Sequence, residues 1–205
     1  MTHAALTPLR TILDRQQMRR VVRRMAGAIV ELNRGVDRLL LAGIVTRGVP
    51  LAEALAAEIA RAEGQEVPIG RLDITLYRDD LSTVAPQPLV KSTHLPVAID
   101  GWTIVLCDDV LYTGRTVRAA LDHLVDYGRP KCVQLAVLID RQGYREVPIQ
   151  ADVVGEAVAT GADEIVEVQF ESTDGADRVR ILERPRKPGA APRLPREPDA
   201  AEGEG

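Results

Sequence analysis

Apolar residues recur along this chain in two rhythms that alternate. From about Gln16 to Asn33, Met18, Val21, Val22, Met25, Ile29 and Leu32 fall three or four residues apart, the spacing of one helix face. Asp14 stands where an N-cap is needed. Arg38 to Val45 is instead a near-continuous apolar run, as expected for a strand buried on both faces of a parallel sheet. Pro50 opens a second helix, Leu51 to Ala62, with Leu51, Leu55 and Ile59 inward, and Gly64 stops it. Val67 to Tyr77 reads as a further strand through Ile69, Leu72, Ile74 and Leu76. Ser82 to Pro96 is polar and irregular, and a connection of that length suits a lid. Ile104 to Cys107 is a buried strand, followed by an amphipathic helix from about Thr116 to Tyr127 that Gly128 and Pro130 end. Cys132 to Ile139 repeats the buried-strand pattern, and a short strand is expected near Val153. Glu164 to Phe170 and Arg178 to Leu182 read as an antiparallel pair around Asp174-Gly175. Residues 1–12 read as a lead-in. From Arg184 the chain is rich in Pro, Gly, Ala and charge, so one domain over 1–183 and a disordered tail over 184–205 are expected.

Strands alternating with helices predict an α/β fold, a doubly wound and mainly parallel sheet. In such sheets ligands sit beyond the carboxyl ends of the strands. Three of the predicted strands end in reactive-looking loops: Thr46-Arg47-Gly48, Asp108 to Thr116, and Asp140-Arg141. The middle one places two adjacent acids, Asp108 and Asp109, at a strand end, then Val110, Leu111, Tyr112, Thr113, Gly114, Arg115 and Thr116 at a helix start. A helix N-terminus offers backbone N–H groups and a positive dipole end to a phosphate, and the glycine permits close approach. The carboxylates accept hydrogen bonds from ribose hydroxyls. A phosphorylated sugar fits that corner.

Composition narrows the classes. The chain has 205 residues, 45% of them hydrophobic, with a net charge of −4, which argues against coating nucleic acid by bulk charge. Only six residues are aromatic, so aliphatic side chains must build the core. Arginine outnumbers lysine 23 to 3, and on the first helix Arg19, Arg20, Arg23 and Arg24 fall opposite the apolar face. They form either a solvated charged face or a patch for an anionic partner such as RNA. Cys107 and Cys132 read as small core hydrophobes, without metal or disulfide spacing, and the three histidines are scattered. No apolar run approaches a membrane span, so a cytoplasmic protein is expected.

The segment VLCDDVLYTGRT resembles the phosphoribosyl diphosphate (PRPP) motif of type I phosphoribosyltransferases. Together with LDITLYRDDL from Leu72, DDVLYTGRTVRAALD from Asp108 and the run from Gly128 to Arg141, the chain resembles the PyrR family from about Leu13 to Glu183. That resemblance implies a uracil phosphoribosyltransferase, making UMP and diphosphate from uracil and PRPP with Mg²⁺. It also implies an RNA-binding regulator of the pyrimidine operon, and a homo-oligomer. By resemblance, Thr113 to Thr116 cradle the 5′-phosphate, and Asp108 and Asp109 bind the ribose diol, with one helping to hold the metal. Thr46-Arg47-Gly48 takes the diphosphate. Arg78 belongs to a closing loop. Asp140-Arg141 and the region of Val158 form a hood over the base. Arg47, Asp108, Asp109 and Arg78 are the catalytic candidates. Arg145 joins the four helix arginines as a candidate RNA contact.

The chain departs from the family text on the RNA side. Where the family reads D-R-G-H-R-E-L-P-I-R-A-D-Y-I/V-G-K-N, Gln142 is an extra residue, Tyr144 replaces His, Gln150 replaces Arg and Glu156 replaces Lys. Gly27 replaces a first-helix His. Each lost cation removes a phosphate contact, so the enzyme reading weighs more. An RNA-binding attenuator with little catalysis, and a phosphoribosyltransferase for another base, stay open.

Overall fold

The computed structural model describes residues 6–77 and 93–184. Five parallel strands, β2 (Leu39–Ile44), β3 (Ile69–Leu72), β4 (Thr103–Leu111), β5 (Cys132–Arg141) and β6 (Val153–Val158), form one sheet in the order β3-β2-β4-β5-β6. Helices α1 (Arg15–Asn33) and α2 (Gly48–Glu63) pack on one face and α3 (Arg115–Leu124) on the other. This is the doubly wound α/β architecture that the alternating pattern implies. A second, antiparallel sheet, β1-β8-β7, joins β1 (Thr7–Leu13) to β7 (Glu164–Gln169) and β8 (Arg178–Glu183), with the short helix α4 (Glu171–Asp174) between the last two.

The helices start and stop where local chemistry requires. Asp14 Oδ1 accepts a hydrogen bond from Gln17 N at 2.8 Å and Gln17 Oε1 accepts one from Asp14 N at 2.8 Å, a reciprocal capping box for α1. Met18, Val21, Val22, Met25 and Ile29 are buried, and the full burial of Met25 and Ile29 contributes roughly 1.5–3 kcal/mol each. Leu32 continues that face by angle but is 51% exposed, contrary to the expectation: the face extends past its cover. Gly64 ends α2 in the left-handed conformation.

Four further expectations are corrected. The lead-in contains β1, which pairs with β8 from Thr7↔Glu183 to Leu13↔Val179. The strand expected to reach Tyr77 ends at Leu72, because the buried Asp73 carboxylate accepts from Thr75 N (2.9 Å) and Thr75 Oγ1 (2.5 Å) and turns the chain into a 3₁₀ turn, Thr75–Tyr77. Cys132, at the first position of β5, is exposed, whereas Cys107 is buried as expected. The two acids lie within β4, not beyond it, since β4 stays paired with β5 to Leu111↔Asp140. The tail expected after 184 and most of the expected lid lie outside the described residues.

Candidate active site

Two glycines set the first corner. A Cβ on Gly43 would lie 2.5 Å from Val49 Cα and 2.7 Å from Gly48 O, and one on Gly48 would lie 2.1 Å from Cys107 O. With hydrogen alone at both positions, the first turn of α2 presses on the backbones of β2 and β4. Gly43 is the register partner of Cys107, and the β2–β4 ladder stops there. The acids therefore emerge where β2 has ended and the chain turns through Val45, Thr46 and Arg47. The Val45–Thr46 peptide is cis. Arg47 lies in this turn, and its charge reaches Asp109.

Asp108 is buried, and its carboxylate accepts from Asp109 N at 3.0 Å. Burial pushes the Asp109 carboxyl above the usual carboxylate range, and the hydrogen bond with Asp108 and the positive Arg47 oppose it only in part. An acid pair, one member buried and the other half-buried, facing one guanidinium recognises hydroxyl groups and a cationic centre. Among the described residues no group of three or more metal-ligating side chains is assembled.

The second corner follows β4. Tyr112, Thr113 and Gly114 turn the chain into α3, with Gly114 at the N-cap in the left-handed region (φ 88°). A side chain there would be strained, and its Cβ would lie 2.5 Å from Val147 Cγ2. Gly114 at the N-cap has no side chain to offer; Thr113 Oγ1 accepts from Arg115 N at 3.4 Å, and the N-terminal dipole end of α3 faces the turn. The carbonyls of this turn are already occupied. Arg145 Nη1 donates to Leu111 O (3.3 Å) and Tyr112 O, while Glu146 N (3.0 Å) and Val147 N (3.3 Å) donate to Thr113 O. Arg145 also donates through Nε to Ile149 O (3.1 Å) and through Nη2 to Asp140. The Arg115 side chain is paired with Glu146, Nε to Oε2 at 2.6 Å, so this residue faces the turn with its backbone.

At the end of β5, Arg141 is buried between two tyrosines, its guanidinium carbon 4.1 Å from the Tyr112 ring centre and 4.6 Å from that of Tyr144. Its Nε donates to Thr160 Oγ1 (2.5 Å) and its Nη2 to Gly161 O (2.9 Å). The turn before α3, the end of β5 and the β6–β7 connection thus share one stack. Asp140 stands beside it, held by Arg145.

A family model described as a phosphoribosyl transferase domain matches residues 9–172. The "Bifunctional protein PyrR" of Pelotomaculum thermopropionicum is 58% identical over 172 residues, covering 84% of this chain and 94% of that protein. The chain belongs to the PyrR family. The protein of the same name from Thermus thermophilus is 54% identical over 173 residues, 84% of this chain and 95% of its own length. Among solved structures, a Trypanosoma cruzi hypoxanthine phosphoribosyl transferase superposes with a TM-score of 0.67 at 16% identity, covering 89% of this chain and 95% of that one. A hypoxanthine-guanine phosphoribosyltransferase of Bacillus anthracis does so with 0.64 at 18%, covering 87% and 99%. These two likenesses speak for the fold alone.

Against the family expectation, the structure brings Arg47, Asp108, Asp109 and the 112–116 turn to one end of the sheet. Val110, Leu111 and Val158 give their side chains to the hydrophobic core, so only their backbones are left for a ligand. Arg78 lies outside the described residues. Arg145, expected on an RNA surface, instead spends its donors on four carbonyls and Asp140 inside the chain. On α1, Arg19, Arg20, Arg23 and Arg24 are all exposed; Arg23 also pairs with Glu58 (3.4 Å), and Arg24 donates to Val154 O (3.3 Å) and Gly155 O at the sheet edge. Tyr144, in place of the family's His, is buried with its hydroxyl on Thr160 O at 3.0 Å. Sequence reasoning missed Asp174, which reaches Arg47 across 127 positions and shows no local signal beyond an Asp-Gly turn.

Proposed function

We propose that this chain is a uracil phosphoribosyltransferase, converting uracil and PRPP to UMP and diphosphate. What carries the reading is the convergence of the Asp108-Asp109 pair, the Arg47 corner and the glycine turn at the start of α3 at one edge of a parallel sheet. In the reaction the bond from the anomeric carbon to the diphosphate oxygen breaks, the bond to uracil N1 forms, and the N1 proton leaves. Positive charge builds on the sugar, so catalysis is a matter of position and electrostatics.

Each element then has a task. The α3 N-terminus takes the 5′-phosphate, and because the carbonyls of residues 111–113 are occupied by residues 145–147, the anion meets N–H groups with few competing oxygens. Asp108 and Asp109 hold the ribose hydroxyls and stabilise the cationic sugar. Arg47 takes the departing diphosphate through a permanently charged, forked group. The Asp108-Asp109 oxygens suit a hard cation, and with no larger carboxylate cluster among the described residues, Mg²⁺ would be held mainly by PRPP itself. When bound, Mg²⁺ neutralises diphosphate charge. Arg141 and Asp140, beside the β6–β7 connection, line the side from which the base approaches.

The relatives are named bifunctional, and a second reading is regulation by RNA binding. The exposed Arg19 and Arg20 favour it. The internal engagement of Arg145 and the exposed Gln150 and Glu156 count against a strong basic surface. No described helix is long and apolar enough to cross a membrane. UMP formation from uracil, PRPP and Mg²⁺ tests the activity, with hypoxanthine, guanine and orotate as competing acceptors. Turnover only with one of the others would replace uracil in this reading. Titration of pyrimidine-operon leader RNA with and without UMP tests the regulatory role.

A further inference from the structure

Arg47 does not stand free beside the acids. Its Nη2 donates to Asp174 Oδ1 at 3.0 Å. Asp174 is the last residue of α4, in the turn between β7 and β8, so this contact ties the β2–α2 corner to the second sheet. The carboxylate is itself fixed, since its Oδ2 accepts from Phe170 N at 3.1 Å. The Arg47 side chain is 42% exposed and that of Asp174 only 18%. Arg47 Nε is buried with no partner, so the guanidinium is not fully satisfied by this one carboxylate. Further along the same turn, Arg15 pairs with Glu171 and with Asp177 (3.5 Å), a second clamp from α1.

We infer that Asp174 is the resting counter-ion of Arg47, and that its carboxylate occupies on the guanidinium the place a phosphate group of the substrate takes on binding. The inference rests on reading Arg47 as the diphosphate ligand. A carboxylate and a phosphate oxygen make the same charge-assisted bond to arginine. Diphosphate must therefore displace Asp174 before it can take the same donor of Arg47. The same contact competes with diphosphate. Exchange of partners also releases α4 from the β2–α2 corner and leaves Arg15 as its clamp, so occupancy of the diphosphate position reaches the second sheet through one ion pair.

The test is Asp174→Asn, which removes the charge but keeps an oxygen for Phe170 N. Calorimetric titration of the full chain with inorganic diphosphate and Mg²⁺ is expected to show about threefold to fivefold tighter binding, the scale of a partly exposed ion pair. The KM for PRPP should fall in parallel, with the change in KM rather than kcat. In an Arg47→Ala background the same substitution should have no effect on affinity. Unchanged or weaker diphosphate binding by Asp174→Asn, while Arg47→Ala binds much more weakly than wild type, overturns the inference alone. Wild-type affinity in Arg47→Ala overturns the reading of Arg47 itself. If Asp174→Asn does not fold, Asp174→Ser retains a short acceptor and is read the same way.

Discussion

Gly48→Ala is a sharp test of how the first corner is built. Near a helix start, glycine to alanine ordinarily stabilises by up to about 1 kcal/mol. At Gly48 the new methyl would lie 2.1 Å from Cys107 O, where ordinary contact needs 3.4 Å or more. The obstacle is strand backbone, carrying Cys107 into Asp108, and cannot rotate aside. The start of α2 must therefore move by about 1 Å, and overpacking of this kind costs about 1–3 kcal/mol, which outweighs the propensity gain. Arg47 precedes Gly48 and must move with it relative to Asp109. A misplacement of about 1 Å costs on the order of 10²-fold in rate. Urea denaturation should show the lower stability, and kcat/KM for UMP formation, measured well below the unfolding midpoint, should show the loss. Gly27→Ala is the control: it sits on the exposed side of α1 with nothing within 4 Å of an added Cβ, and is expected to be neutral or stabilising. A folded Gly48→Ala with activity within about threefold of wild type, or a stability matching that of Gly27→Ala, would refute the close-approach argument.

Other consequences can be checked with the same assays. Asp109→Asn should lower kcat/KM by about 10²–10³-fold, and near-normal turnover would remove its assigned role. Its effect on stability should depend on pH. With the folded pKa raised above the ordinary 3.8, the native state holds the proton longer than the unfolded chain, so wild-type stability falls as pH rises through that window. Asp109→Asn lacks this loss and should gain on wild type in urea midpoints as pH rises above the ordinary carboxylate range; parallel profiles would contradict the raised pKa. Arg145→Ala leaves Asp140 and the carbonyls of residues 111 and 112 without their donor, and should cost about 2–3 kcal/mol by denaturation while weakening PRPP binding. Arg145→Lys should not restore it, since one ammonium cannot reach the same spread of acceptors. Leader RNA should bind in the non-specific range, about 10⁻⁴–10⁻⁶ M at physiological salt. Submicromolar, UMP-dependent binding with a salt slope reduced by Arg19→Ala and Arg20→Ala would restore the regulatory role.

Much of this protein is legible along the chain because its determinants are local. The apolar runs at Arg38–Val45 and Cys132–Ile139 mark central parallel strands, since only a strand covered on both faces tolerates them. Asp14, Gly64 and Gly114 mark helix ends through short-range hydrogen bonds and φ preference. The acid pair, followed within a few residues by a glycine and a helix start, marks the corner proposed for ribose phosphate because all of its parts are neighbours in sequence. Other features depend on residues far apart. Thr7–Leu13 is a strand only because β8 lies beside it, and Asp73 ends β3 with a hydrogen bond that periodicity does not reveal. The acids meet Arg47 because Gly43 and Gly48 let α2 press on β4, a contact visible only once β2 and β4 are paired in register. Arg145 looks like any surface arginine until the carbonyls of residues 111 and 112 arrive under its guanidinium, and Asp174 like any turn acid until Arg47 reaches it. Charge and hydrogen bonding act over a few ångströms in space, so a linear pattern can name the chemical groups, while folding chooses their partners.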